Sequence, residues 1–306
     1  RMVRGKLGVK EARALNIMEQ NKTQKKFWSG SGGEMWVRDQ AVFDRRLQSL
    51  GNAALQKIKF KTGMDVVDIG CGSGTTTLDI LAVVGEKGSV TGVDISQPLL
   101  QLAANRVEIS GLTSARFLNQ DVQTKPLDTS SFDAAFSRFG VMFFEDPTKA
   151  FVNINQALRS GGQLAFVCFQ SPERNLWASL SQRVFEKHLG IKMYEDKRAP
   201  GPFAFQEKSY ISAILEAAGF VDIAIEGVEK TVDWYSGISI SQAVDNLLRA
   251  NPIIAEKLIA AVVSSRDLIR AKLETSYAEY TSGGNIRFPA AVWIVSAISS
   301  SKQDEL

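Results

Sequence analysis

The run Asp68-Ile69-Gly70-Cys71-Gly72-Ser73-Gly74-Thr75 is where residue types and spacing point most directly to chemistry. Met64 to Ile69 reads as a short apolar strand and Thr75 to Val84 as a helix closed by Gly85, so the glycines fill a strand-to-helix turn. Glycines there let the backbone approach a ligand, and the helix start offers it unpaired N–H groups. The spacing then separates the ligands. A dinucleotide fingerprint needs glycine where this chain has Thr75, and a phosphate-binding P-loop needs a Gly-Lys pair that is missing here. Asp68 ends the strand with a carboxylate, which repels a pyrophosphate and attracts an ammonium.

Two more acids follow the same plan. Asp94 closes Val90-Thr91-Gly92-Val93-Asp94, 24 residues past Gly70, where an acid reaches ribose hydroxyls, and Ile95 beside it suits a flat adenine face. Asp121, before Val122, is placed to accept a hydrogen bond from an exocyclic amine. Three acids at the ends of three consecutive strands describe one crevice for an amino-acid ammonium, a ribose and an adenine, without phosphate. S-adenosylmethionine has that constitution. The cofactor-binding candidates are Asp68, Gly70, Cys71, Gly72, Thr75, Asp94, Ile95, Asp121, Val122 and Ser137.

The elements that must hold these residues alternate regularly. Strands are predicted at Ser89–Asp94, Phe117–Asn119, Phe132–Phe136 and Gln163–Phe169, with helices at Pro98–Ser110 and Thr148–Arg159. This rhythm predicts an α/β chain with a mostly parallel sheet and helices on both faces. Later elements are sparser: helices over Leu176–His188, Tyr210–Ala218, Ser241–Ala250 and Pro252–Tyr280, and strands over Phe220–Trp234 and Ile286–Ile298. The expected organisation is an N-terminal helical arm over 1–45 and a catalytic domain over 46–306, with helical lid insertions at 171–206 and 236–283.

Composition removes other classes. One histidine and two cysteines (Cys71 and Cys168) leave no His/Cys zinc cluster and no disulfide framework, so no metal is expected. No apolar run is long enough to span a membrane. The net charge of +3 hides an uneven distribution: residues 1–26 hold eight Lys/Arg against two Asp/Glu, and the remaining 280 residues sum to −3. That mildly acidic body does not suit nucleic acid. The arm, with Leu15 and Met18 three apart, reads as a solvated basic segment or short amphipathic helix docking on its own core or on a second copy, the route to a homo-oligomer. It lacks the apolar core of a secretory signal, so the expected location is cytoplasmic.

The chain resembles the class I S-adenosylmethionine-dependent methyltransferases along nearly its whole length. Val67 to Gly74 resembles their glycine-rich motif, Gly92-Val93-Asp94-Ile95-Ser96 their ribose-binding motif and Asp121-Val122 their adenine-contacting pair. Phe132 to Phe139 is similar to their fourth-strand motif, and Leu158 to Leu164 to the turn into strand five. Phe27-Trp28, Gly33, Trp36, Arg138 to Phe144 and Pro202 to Phe205 look like a bacterial subgroup near the ubiquinone and menaquinone C-methyltransferases. Where those enzymes carry Gly-Leu-Arg-Asn, this chain has Phe139-Gly140-Val141-Met142, a departure that bears on the acceptor and not on methyl transfer. The resemblance implies a Rossmann-like seven-stranded sheet with its last strand antiparallel, and a methyl group passed to O, N or C of a small acceptor.

A sulfonium methyl is already activated, so its in-line displacement needs alignment, a dry site and sometimes a base. His188 is the candidate base by its ordinary pKa, and also suits a helix end just before Leu189-Gly190. Trp28, Trp36, Arg138 and Phe139 are the substrate candidates. The two tryptophans, eight apart, would share a face of one helix, and an apolar or planar metabolite is expected. The competing readings are a nicotinamide-dependent oxidoreductase, against which Thr75 counts, and a cofactor-binding protein without turnover.

Overall fold

The computed structural model describes residues 21–250 and 252–300; Leu15, Met18 and most of the basic arm lie outside the described residues. Three helices come first: α1 (Lys22–Trp28), α2 (Ser31–Arg38) and α3 (Gln40–Leu55). The alternating part follows as β1 (Asp65–Ile69), α4 (Thr75–Val84), β2 (Ser89–Asp94), α5 (Gln97–Ser110), β3 (Ala115–Asn119), β4 (Phe132–Arg138), α6 (Pro147–Ala157) and β5 (Leu158–Phe169). The remainder holds α7 (Leu176–Leu189), α8 (Lys208–Ala217), β6 (Phe220–Ser236), α9 (Ile240–Ala250), α10 (Pro252–Ala260), α11 (Val263–Ala278), β7 (Thr281–Ser282) and β8 (Asn285–Ser299).

The sheet order is β3-β2-β1-β4-β5-β8-β6, with the two-residue β7 attached to β8. Strands β1 to β5 pair in parallel, and β8 runs antiparallel to β5 and β6. This is the expected Rossmann-like sheet, with β7 added. Val66, Val67 and Ile69 of the central strand β1 are all buried, as a strand covered on both faces requires. The order reverses between β1 and β4, and at such a switch point a crevice opens beyond the carboxyl ends of the strands.

Local chemistry accounts for the element ends. The Ser96 hydroxyl accepts from the Leu99 amide to start α5, and Gly111 closes it at φ +74°. Asp146 caps α6 through the Lys149 amide. That helix stops at Ala157, earlier than expected, because Leu158 already pairs with Phe132 of β4; a bulge intervenes before Gln163 pairs with Ala134. The expected single helix over 252–280 is two. Val262 turns extended (φ −66°, ψ 153°), and the break re-aims α11 so that Ile269, Leu273 and Tyr277 are buried. Neither glycine nor proline marks that break.

The apolar core has two parts. The larger lies across β1, β4 and β5 and the helices on them. The smaller joins α7 with α9, α10 and α11 over the ends of β6 and β8, around Phe185, Val244, Tyr277 and Phe288. At the switch point, Gly70 adopts φ +64° and meets Gly140 backbone to backbone. A Cβ added at Gly70 would stand 2.8 Å from the Gly140 Cα, and one at Gly140 would stand 2.9 Å from the Gly70 Cα. Gly140 has φ −79°, so crowding rather than backbone conformation opposes a side chain there: the Gly70 Cα and the Ile69 carbonyl oxygen would each stand at 2.9 Å and the Ser137 hydroxyl at 3.0 Å. Gly140→Ala is expected to cost ~1–3 kcal/mol through forced separation of the two loops. Thermal denaturation checks this, and an unchanged Tm would count against the contact.

Candidate active site

The loops beyond β1, β2, β3 and β4, roofed by α1 to α3 and flanked by α7 and β6, enclose a cavity of ≈ 310 Å³. One end is built from the glycine-rich turn and the acids. Asp94 fixes its own loop and the next: Oδ2 accepts from the Gly72 amide at 2.9 Å and Oδ1 from the Ser96 amide at 2.8 Å. Burial raises its pKa against those two bonds. Asp121 is buried and accepts from Gln123 amide and side chain, both at 3.1 Å, and from Asn21 Nδ2 at 3.2 Å. The Lys25 ammonium lies 3.0 Å from it, so α1 is bound directly to this carboxylate. Ser29 also donates to the Ile95 carbonyl at 3.2 Å.

The other end is aromatic. Phe139 stacks on Phe169 with centroids 4.4 Å apart, and Trp177 stacks on Trp234 at 4.6 Å. Trp36 stacks on Phe43 at 4.0 Å, closing the chamber from above. Phe139 holds φ +61°, a conformation that costs a bulky residue roughly 1–3 kcal/mol. Its amide bond to the Val167 carbonyl (3.1 Å) and its ring stack hold it there.

The structure brings most of the sequence candidates to the cavity wall. Gly70, Cys71, Gly72, Asp94, Ile95, Asp121, Val122, Trp28, Trp36, Arg138 and Phe139 all line it. Trp28 and Trp36 meet differently from the expectation. They sit on separate helices, broken at Ser29-Gly30, with ring centroids 5.8 Å apart. Four candidates are not part of the wall. Thr75 Oγ1 accepts from Arg106 at 2.9 Å and donates to Asp44. Ser137 donates to the Ile69 carbonyl at 2.7 Å, tying β4 to the end of β1. His188 is half-buried at the end of α7 and is not among the residues lining the chamber. Asp68 is fully buried beneath the turn, its Oδ2 accepting from Thr76 (2.6 Å) and Thr77 (2.7 Å). Its Oδ1 has no hydrogen-bond partner among the described residues.

Sequence reasoning missed Asp44 and Arg46, and named Phe139 without its left-handed backbone. Asp44 on α3 reaches Arg138 at 2.9 Å and Arg106 at 3.4 Å. Burial opposes its charge, but the Thr75 hydroxyl and Arg138 outweigh burial and hold its carboxyl below the ordinary range. Only an unremarkable helical acid signalled this in the sequence. The thiol of Cys71 is pushed well up by burial and then by the Asp94 and Asp68 charges, which argues against a nucleophilic role.

Residues 67–166 match the family described as a methyltransferase domain. Demethylmenaquinone methyltransferase of Staphylococcus epidermidis is 24% identical over 179 residues, covering 56% of this chain and 73% of that one. In fold, the chain is similar to the YcgJ protein of Bacillus (TM-score 0.55, 18% identity, 83% of this chain and 99% of that one). It is also similar to phosphoethanolamine N-methyltransferase 2 of Haemonchus contortus (TM-score 0.55, 19% identity, 90% and 60%). The matched domain makes the chain an S-adenosylmethionine-dependent methyltransferase with a small-molecule acceptor. More particularly, the chain carries the methyltransferase domain and is distantly homologous to the demethylmenaquinone methyltransferases. Among the described residues, no helix is long and apolar enough to cross a membrane.

Burial raises the Asp68 pKa from 3.8 to about 6 against its two hydroxyl donors. A carboxyl that binds its proton more tightly when folded contributes stability that is full below pH ~4 and lost as pH rises through ~6. Asp68→Asn lacks this titration. Its stability relative to the wild type should therefore improve by roughly 1–3 kcal/mol between pH 4 and pH 8. Urea denaturation of both proteins at the two pH values measures the difference, and a difference independent of pH would contradict the assignment.

Proposed function

We propose that this enzyme methylates O, N or C of a small planar, apolar acceptor held in the aromatic end of the cavity, with S-adenosylmethionine at the acid-lined end. The observation that carries this reading is the continuity of one cavity from Gly72, Asp94 and Asp121 to the Phe139, Trp177 and Trp234 rings. The residues fit the cofactor. Asp94 presents a carboxylate to ribose hydroxyls, Ile95 an apolar face to adenine, and Asp121 with Val122 the edge that accepts an exocyclic amine. Gly70, Cys71 and Gly72 offer backbone to the amino-acid portion. The unpartnered oxygen of buried Asp68 supplies negative charge beneath that portion. Thr75 and Ser137 serve at one remove, by fixing the helix start and the β1–β4 contact.

The cofactor supplies an activated methyl group; the chain supplies alignment and dryness. Phe139, Phe169 and Trp177 exclude water and orient a flat acceptor. Trp28 and Trp36 cover the chamber, and Trp177 and Pro202 of the 171–206 segment complete the enclosure as a lid, with the 236–283 segment packed behind it on α7 within the 46–306 domain. Arg138 acts mainly through Asp44, holding α3 on the sheet. The carboxylates of the acid end also separate this reading from a nicotinamide enzyme, whose pyrophosphate would be repelled by Asp94 in the wall and Asp68 beneath it.

Calorimetry with S-adenosylhomocysteine, with NADH as the control, tests the cofactor. Binding of the first and not the second is expected, and Asp94→Asn should weaken binding at least tenfold by replacing the ribose-facing carboxylate. NADH binding without S-adenosylhomocysteine binding would overturn the proposal. A radiolabelled methyl-transfer screen over phenol, indole, quinone and isoprenoid acceptors tests turnover. Planar aromatic acceptors are expected to be methylated, and a screen without any transfer would favour a binding protein.

A further inference from the structure

The acceptor end of the cavity contains a cation for which the methyl-transfer reading has no use. Arg46, half-buried on α3, lines the chamber. Its guanidinium carbon lies 5.6 Å from the Phe43 ring centroid, 5.2 Å from that of Trp234 and 4.6 Å from that of Tyr235. Its Nε donates to the Trp234 carbonyl. Among the described residues no carboxylate forms an ion pair with it. Acids near it in sequence are committed elsewhere: Asp44 on α3 to Arg138 and Arg106, and Asp39, just before α3, to Arg38 at 2.7 Å, so Asp39 acts on Arg46 through its field and not by contact. The contrast with other arginines is direct. Arg38, Arg159 and Arg270 each hold carboxylates that raise their pKa, whereas burial draws that of Arg46 down. Tyr235 and Tyr277 stand nearby, but burial raises both phenols, so they remain neutral and do not offset the charge.

The other cation of the wall, Arg138, is already paired, and the wall acids Asp94 and Asp121 belong to the opposite end. Among the described residues, the aromatic chamber thus holds one positive charge without a carboxylate in ion-pair contact, beside faces suited to a planar ring. A guanidinium with donors to spare in an apolar wall matches an oxyanion, whose bonds to it are charge-assisted and strengthened by the low dielectric.

We propose that Arg46 is the specificity-determining residue of the acceptor site and that the acceptor is an aromatic organic anion, a carboxylate or phenolate whose charged oxygen Arg46 holds. This rests on the aromatic end being the acceptor site. Charge recognition here narrows the planar acceptor to one carrying an acidic oxygen, and disfavours neutral rings of the same shape because they leave the guanidinium desolvated and unpaired.

The test uses protein saturated with S-adenosylhomocysteine and two probes of matched shape, 2-naphthoate and neutral 2-naphthylmethanol, titrated by calorimetry. The expected result is at least fivefold tighter binding of naphthoate to the wild type. Arg46→Gln should abolish that preference and Arg46→Lys should retain part of it, both with unchanged affinity for S-adenosylhomocysteine. On the wild-type chain, naphthoate should also protect Arg46 from phenylglyoxal, read by peptide mass mapping, which needs no variant to fold. A preference below fivefold, an equal preference in Arg46→Gln, or unprotected Arg46 overturns the inference. In those cases the guanidinium only staples α3 to β6. Failure of S-adenosylhomocysteine itself to bind would instead overturn the cofactor reading, so the two failures are distinguishable.

Discussion

The whole carboxyl edge of this sheet depends on the backbone contact between Gly70 and Gly140. Strands β1 and β4 are neighbours, but their following loops leave toward opposite faces, and a crevice exists only if those loops start close together. With no side chain at either position, the turn after β1 can fold back under Asp94 while the chain after β4 bends into Phe139 and the 3-10 turn at Val141–Phe143. Ser137 bonds to the Ile69 carbonyl just beneath, so the strands are locked where the loops diverge. The acid end and the aromatic end of the cavity are the two sides of that one contact.

The same edge collects energetic costs that the rest of the fold must offset. Among the described residues, Asp68 is a carboxylate buried with one oxygen unpartnered, Phe139 holds a left-handed backbone, and Arg46 is a cation without a carboxylate in contact. Each is unfavourable for an empty fold, and each faces or underlies the cavity. The surrounding support is correspondingly ordinary: an apolar core across β1, β4 and β5, and Arg159 pairing with Asp65 at 2.9 Å and Asp133 at 2.7 Å at the opposite edge. The cost is concentrated where ligands bind, as expected for sites whose geometry is fixed in advance.

Much of the alternating core was legible because its boundaries are set by neighbours in sequence. Helix α4 and strand β2 fall where Gly85 and the Val90–Asp94 run place them, since glycine and β-branched residues act locally. The acids at the strand ends were legible for the same reason: their spacing follows the strand–helix rhythm. The N-terminal arm was legible as helical, but its division into α1, α2 and α3 was not. Trp28 and Trp36 fit one helix by periodicity, and only packing against Phe143 and Phe43 shows why the chain breaks between them. The split of the late helix at Val262 answers to the second core, which no local signal encodes. Asp44 and Arg46 look alike in sequence, as charged residues on an amphipathic helix. Their difference, one paired across three elements and one unpaired against rings, exists only in three dimensions.

Asp44 also governs how mutational data on this protein are to be interpreted. One carboxylate serves Thr75, Arg106 and Arg138, and through them α4, α5 and β4. Removing Arg138 withdraws a wall residue and also releases a buried acid against the start of α4. The measured effect is then a coupling energy of the network, and single replacements at these positions do not add. Sites sharing a hub of this kind diversify together, so a chain that exchanges one member without the others loses more than that member's own contacts.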